Sequence, residues 1–170
     1  MIDIAKLPTF MFDLSNYLTA SVLKHDMKAA DIQSYVYAFY HKGVVMKYGV
    51  QYECDADTYG ERAYRQAFHI PGWPRQPSPN SAGNDMLDII KHYPNINKNN
   101  ITIQIWDMTN YPRANSNNPK YEVNQVERQL IKAYTDQHGS RPLGNIKDES
   151  HMDKKAHVHD MIFNNLFEVD

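Results

Sequence analysis

The sequence predicts an α+β fold, in which a small antiparallel three-stranded sheet is flanked by helices. Two runs rich in β-branched and aromatic residues, at 34–41 and 44–49, are separated by a short turn, which is typical of a β-hairpin. A third run, at 100–107, alternates isoleucine with threonine and glutamine, the pattern of a half-buried strand. Segments with helical spacing precede, separate and follow these strands, so we expect helices to cover the sheet.

The chain of 170 residues fits one domain with its own core, and its pattern divides it into three parts. Residues 1–33 have apolar side chains in loosely helical spacing and are predicted to form an N-terminal helical extension. Residues 34–146 hold the hairpin, the third strand and the main helices, and they form the predicted core. Residues 147–170 are a mostly polar tail whose last apolar residues suit a short closing helix or a partner contact.

The elements of the core follow from local signals. His41-Lys42-Gly43 supplies the hairpin turn, Pro71-Gly72 closes a helix, and Gly139 terminates the last helix. After the hairpin, the prediction places in chain order a helix at 58–69, a proline-rich loop at 73–80, a helix at 81–93, the third strand, an asparagine-rich loop at 111–120 and a helix at 122–137.

Composition excludes several classes of protein. The net charge of -2 gives no global electrostatic reason to bind nucleic acid. The single cysteine, Cys54, can form neither an internal disulfide nor a thiolate metal cluster, which fits a reducing compartment. No apolar run is long enough to span a membrane, and the amino terminus shows no secretory signal. We therefore expect a cytoplasmic protein without a membrane partner, whose metal chemistry would use oxygen or imidazole ligands.

Glu127 is a carboxylate within the apolar stripe of the last helix. In that position it loses hydration worth several kcal/mol unless a cation or strong hydrogen-bond donors replace the water. A bound metal ion is one remedy and an arginine partner is the other. The residues alone leave both open.

A cationic face is predicted on the helix that follows the hairpin. Arg62, Arg65 and His69 are separated by three, four and seven residues, so their side chains point in nearly the same direction. The arginine fork matches phosphate oxygens and could stabilise the charge that develops on a scissile phosphate. The alternative is a solvated surface paired with Glu61 or with acidic residues of the preceding link.

The hairpin carries three side chains that can donate or accept protons, Tyr37, Lys47 and Tyr48. A lysine beside a tyrosine can lower the pKa of the phenol from about 10 toward a range that is useful in catalysis. Packed rings and an outward-pointing lysine would explain the same residues without any chemistry.

In order and spacing, these residues resemble the GIY-YIG nuclease superfamily. Tyr35-Val36-Tyr37 stands where the first strand of that family carries Gly-Ile-Tyr, and Lys47-Tyr48-Gly49 stands where its second strand carries Tyr-Ile-Gly. The helix with Arg65 and His69 is similar to the family's arginine followed by histidine or tyrosine. A helix, a strand and a helix bearing a glutamate, here Glu127, complete the family's order over residues 35–145.

The last helix and the turn after it give the most specific resemblance. Residues 127–131 and 137–144 are similar to the small stand-alone type II restriction endonucleases of this superfamily, in which a glutamate helix ends in histidine and a basic, Pro-Ile-Gly-like turn follows. That subgroup also accepts lysine where Lys47 stands. Because an insertion precedes the arginine helix, the resemblance leaves Arg62 or Arg65 as the catalytic arginine. It matches Asn145 to a late asparagine near the active site of the family.

The resemblance implies a divalent-metal-dependent endonuclease that hydrolyses phosphodiester bonds in double-stranded DNA, with one Mg²⁺ or Mn²⁺ ion held by Glu127. Tyr37 would deprotonate or orient the attacking water with help from Lys47. The other implied active-site residues hold the phosphate or complete the hydrogen bonds around it: Arg65, Arg62, His69 and Tyr48. A site-specific restriction enzyme would act as a homodimer in which each subunit cuts one strand.

The sequence leaves other functions open. The same fold would serve a phage or mobile-element (homing-like) endonuclease, a repair nuclease, or a noncatalytic DNA-binding module. A metalloprotein that uses His157 and His159 with His151 is a further alternative, because alternate histidines on a strand can share a metal ion.

Overall fold

In a computed structural model, the chain folds around one antiparallel sheet of four strands. The structure describes residues 2–52, 61–73, 86, 89–90, 93–111 and 122–145. The strands are β1 (Thr9–Asp13), β2 (Tyr35–His41), β3 (Val44–Gln51) and β4 (Ile101–Asp107), in the spatial order β1-β4-β2-β3. The α-helices bounded within these residues are α1 (Ala20–Ala29), α2 (Glu61–Ala67) and α3 (Glu122–His138), and short 3-10 helices span Ile4–Lys6, Leu14–Asn16, Lys98–Asn100 and Leu143–Asn145.

The predicted α+β class is confirmed, but the sheet has four strands and not three. The additional strand, β1, lies within residues 1–33, whose spacing predicts helices. It pairs along its length with β4, and Phe12 is its one buried residue. Asp13 ends the strand, because its carboxylate accepts the Ser15 N–H at 3.1 Å and caps the next 3-10 helix. Helix α1 begins only after its N-cap Thr19. The apolar residues of this segment therefore belong to several short elements, which their spacing does not reveal.

Strands β2 and β3 form the predicted hairpin, but its turn is the two residues Lys42-Gly43, because His41 is the last residue of β2 and pairs with Val44. Lys42 has φ 49° and Gly43 has φ 83°, and positive φ at both positions is what the right-handed twist of the flanking strands requires. The end of α3 is also as predicted. Gly139 has φ 80°, and its N–H donates to the carbonyl of Thr135 at 2.8 Å.

Strand β2 lies at the centre of the core because it pairs with β3 on one side and with β4 on the other. All of its residues except Tyr40 are buried. Tyr35, Tyr37 and Phe39 pack in a cluster with side chains of α1, α2 and β4, on what we call the first face of the sheet. Val36 and Ala38 pack in a second cluster with side chains of α3, on the second face. The two helices that carry the candidate site residues therefore lie on opposite faces.

Parts of several predicted elements lie outside the described residues. Of the predicted helix at 81–93, Met86, Ile89 and Ile90 have helical backbone, and the first two are buried in the cluster of the first face.

Among the helices of the described residues, none combines the length and the apolar character that a membrane span requires. The segments that lie largely outside the description are the start of the helix at 58–69, the loops at 73–80 and 111–120, and the tail at 147–170.

Candidate functional site

Tyr37 lies in the middle of β2 on the first face, with 3% of its surface exposed. Its ring packs between Tyr35, at 6.2 Å between ring centroids, and Phe39, at 5.6 Å. Gly49 of β3 is its direct pairing partner, and a Cβ built on Gly49 would lie 2.2 Å from Cζ and 2.3 Å from Oη of Tyr37. The phenol therefore occupies the space above Gly49. It is directed across β3, which is the edge strand of the sheet.

A β-bulge places Lys47 on the same face as Tyr37. Met46 is an extra residue of β3, so the pairing register shifts there and Lys47 lies opposite Phe39. This position is diagonal to Tyr37 across the two strands, within reach of long side chains. Lys47 is 7% exposed. Its stem lies against the turn after α3, since a Cβ built on Gly144 would stand 2.6 Å from Lys47 Cβ.

Tyr48 points to the second face, away from Lys47, because successive residues of a strand alternate between faces. Its ring centroid lies 6.2 Å from that of Trp106, in the cluster beneath α3. Burial, followed by the Tyr40 and Tyr134 phenols, raises the pKa of Tyr48 above its ordinary value of 10.0. The expectation that a neighbouring lysine lowers the pKa of a phenol is therefore wrong for Tyr48. Its phenol therefore stays protonated at neutral pH.

The backbone of Tyr48 is bound by the side chain of Asn145. The Tyr48 N–H donates to Oδ1 of Asn145 at 2.8 Å, and Nδ2 of Asn145 donates to the Tyr48 carbonyl at 2.8 Å. The carboxamide satisfies both backbone groups that Tyr48 would otherwise offer to another strand. Asn145, which the resemblance matches to an asparagine near the active site, therefore lies at the outer edge of β3 between the positions of Lys47 and Gly49.

Helix α2 covers the first face and carries both candidate arginines. The N–H of Ala63 donates to the Tyr35 phenol at 3.4 Å, and Ala63 is fully buried. Arg65 is half-buried, whereas Arg62 is exposed. Arg65 is therefore the arginine directed toward the body of the protein. His69 is half-buried but lies beyond the last residue of α2, where the chain continues as turns, so it does not extend a helical face as its spacing predicts.

Glu127 lies on α3, which packs on the second face, across the sheet from Tyr37. The residue is only half-buried, so it loses less hydration than a position inside an apolar stripe implies. The fully buried residues of the helix are Val123, Asn124, Val126 and Tyr134.

The two sides of α3 face different parts of the sheet. One turn before Glu127, the side chain of Asn124 accepts a hydrogen bond from the Tyr52 phenol at 3.0 Å, and Tyr52 directly follows β3. The other side of the helix, with Lys132 and Asp136, lines a groove against residues 2–5, which lead into β1. Glu127 therefore lies on the side of α3 that faces β3, the strand that also carries Lys47.

The candidate residues are distributed over both faces of the sheet. Tyr37 and Lys47 share the first face, and α2 brings Arg65 to that face. Glu127 approaches from the second face, on the side toward β3. The side chain of Tyr48 lies on the second face with α3, so the sheet separates it from Tyr37 and Lys47.

Within the described residues, no group of three or more His, Cys, Asp or Glu side chains could hold a metal ion. A metal at Glu127 would therefore have at most two such side chains from this part of the chain. Such a donor set fits Mg²⁺ or Mn²⁺, because a magnesium ion commonly keeps several waters and binds one or two carboxylates together with substrate phosphates. The alternative ligands, His151, His157 and His159, lie outside the described residues.

The comparisons with known proteins give no match. No protein-family model, no curated protein and no solved structure matches this chain.

The roles of Gly49 and Gly144 are not predicted from the sequence, where each appears only as the last residue of a short motif. The role of Gly49 depends on the register of the hairpin, and the role of Gly144 depends on the fold of the turn after α3. Both features are visible only in the structure.

Proposed function

We propose that this chain is a divalent-metal-dependent endonuclease that hydrolyses phosphodiester bonds in double-stranded DNA, similar to the small type II restriction enzymes of the GIY-YIG superfamily. The observation that carries the proposal is the position of the Tyr37 phenol over Gly49, with Lys47 on the same buried face. A phenol and a lysine side chain that share one face of the hairpin can act together on a single ligand. The approach of α2 and α3 to the same strand supports it.

The reaction proposed is in-line attack of water on a DNA phosphorus, in which a water oxygen bonds to phosphorus and the bond to the leaving oxygen breaks. Tyr37 orients the water and accepts its proton, and the positive charge of Lys47 favours the phenolate that this step needs. Arg65 donates to the nonbridging oxygens as charge develops. Glu127 would hold a divalent ion, and that ion, when bound, would neutralise negative charge on the phosphate and on the leaving oxygen.

The remaining candidate residues receive lesser roles. His69 is proposed to complete hydrogen bonds near Arg65, and Arg62, being exposed, to bind the DNA backbone outside the reacting group. Since the net charge is -2, attraction to DNA would come from such local groups and not from the whole surface. We further propose a homodimer, because two copies related by a two-fold axis can each cut one strand of a palindromic site.

Glu127→Gln tests the proposal, because it keeps the size of the side chain and removes its charge. With plasmid DNA and Mg²⁺, the wild-type protein should produce fragments, and the variant should cut at least about 100-fold more slowly. Asp136→Asn is the matched control, since it removes an exposed carboxylate from the other side of the same helix and should leave the rate unchanged. Thermal unfolding of both variants shows whether each is folded.

The products distinguish the alternatives. Discrete fragments identify a site-specific enzyme, and a smear identifies a nonspecific or repair-type nuclease. DNA that is retarded in a gel but never cut would identify a noncatalytic binding module. Cutting by Glu127→Gln at the wild-type rate, or cutting that persists when a chelator removes the metal, contradicts the proposed mechanism.

A further inference from the structure

The turn that follows α3 is fitted against the back of Lys47. A Cβ built on Gly144 would stand 2.6 Å from Cβ and 2.9 Å from Cγ of Lys47, and 3.1 Å from Cδ1 of Ile89. Real Cβ atoms do not approach this closely, so the backbone of Gly144 occupies a space that any side chain would have to share with the lysine stem. Gly144 is itself buried, as is the preceding Leu143, which packs in the cluster of the first face.

The next residue fixes the same stretch of β3 through its backbone. The two hydrogen bonds of Asn145, both 2.8 Å long, hold the N–H and the carbonyl of Tyr48. Tyr48 stands between Lys47 and Gly49, the residue over which the Tyr37 phenol lies. The backbone at this point also follows a β-bulge, where pairing with β2 is irregular. A strand that has lost regular pairing on one side is thus clamped on its other side.

We infer that the Gly144-Asn145 turn is a positioning element that sets Lys47 beside Tyr37 for the cleavage step. Neither residue needs to touch DNA for this role. Gly144 limits where the lysine stem can lie, and Asn145 fixes the strand that carries it. The inference rests on the proposed nuclease activity, because it assigns Lys47 a part in the reaction.

Amine labelling measures the position of Lys47 without using activity. Lys47 is 7% exposed, so acetic anhydride should label it slowly in the wild-type protein. Asn145→Ala and Gly144→Ala should each raise that rate by about tenfold, since the first removes two hydrogen bonds of the turn and the second pushes the turn away from the lysine stem, and both favour local opening of the strand edge. Lys6, whose side chain is 84% exposed, should be labelled at the same rate in all proteins. Asn97→Ala is the matched control, because Asn97 caps the Lys98–Asn100 turn.

Cleavage kinetics then test whether Asn145 acts through Lys47. Asn145→Ala should lower kcat by about 10- to 100-fold with little change in KM for DNA, because a misplaced group weakens the transition state more than binding. In a double-mutant cycle, Asn145→Ala combined with Lys47→Ala should be no slower than Lys47→Ala alone. A purely structural asparagine would instead slow both backgrounds by the same factor.

The possible failures are distinguishable. Losses that multiply in the double variant, or Lys47 labelling that does not change in Asn145→Ala and Gly144→Ala, overturn this inference and leave the nuclease proposal standing. A wild-type protein that never cuts DNA overturns the nuclease proposal and the catalytic part of this inference with it. The labelling comparison then still decides whether the turn positions Lys47. If Asn145→Ala does not fold, Gly144→Ala carries both measurements, since it displaces the lysine stem without removing a hydrogen bond.

Discussion

Gly49→Ala tests the arrangement of the hairpin most directly. Its methyl carbon would stand 2.2 Å from Cζ and 2.7 Å from Cε1 of Tyr37, far inside the van der Waals separation of about 3.5 Å. The ring has little freedom to move, because it is 3% exposed and packed between Tyr35 and Phe39. Overpacking of this kind costs about 1–3 kcal/mol. For a chain of this size that loss corresponds to a Tm lowered by about 2–12 °C.

The matched background is Tyr37→Leu, whose shorter side chain does not extend over Gly49. There the methyl group meets no ring, and alanine is favoured over glycine in a strand by about 0.5–1 kcal/mol. The same substitution should therefore become neutral or stabilising. Urea unfolding followed by circular dichroism measures the free energy of unfolding in both backgrounds. An equal loss in both, or no loss when Tyr37 is present, would refute the placement of the phenol over Gly49.

Two further predictions concern stability away from the strand edge. Burial lowers the pKa of His41 from 6.5 to about 4, and the residue is 1% exposed. The unfolded chain therefore binds more protons than the folded chain between these values. Stability should fall by about 3 kcal/mol as pH drops through this window. Urea unfolding at each pH measures this fall in the free energy of unfolding. The His41→Leu variant should lack it, whereas the variant His25→Gln, at an exposed position, should retain it. An unchanged pH dependence in His41→Leu would contradict the assignment of the fall to His41. Tyr52→Phe deletes the 3.0 Å hydrogen bond to Asn124 and should cost about 0.5–1.5 kcal/mol of unfolding free energy, and a variant as stable as the wild type would show that this bond contributes nothing.

Local signals account for the elements that the sequence predicts correctly. The β2–β3 hairpin follows from two strand-forming runs and a Lys42-Gly43 turn, all within a few residues of one another. The end of α3 follows from Gly139, whose positive φ suits glycine. Strand β1 is missed because Phe12 is its one buried residue and its partner, β4, is distant in the chain. A short edge strand with little burial leaves almost no periodic pattern to read.

The sequence proposes residues for the candidate site but does not give their geometry. That Tyr48 and Lys47 face opposite sides of the sheet follows from the alternation of a strand, and the sequence alone contains this information. Which of them shares a face with Tyr37 does not follow, because Met46 is an extra residue that changes the register. The placement of Glu127 likewise depends on which side of α3 faces β3, and long-range contacts determine that.

The link between Asn145 and Tyr48 joins residues 97 positions apart, which has a consequence for the chain while it is being made. The hairpin can form early during synthesis, since its contacts are local. Its outer edge is not completed until the ribosome has released the segment that contains Asn145. A nascent chain therefore carries Tyr37 and Lys47 without the turn that orders them. If the protein cuts DNA, that delay keeps the cutting function from appearing before nearly all of the folded domain has been synthesised.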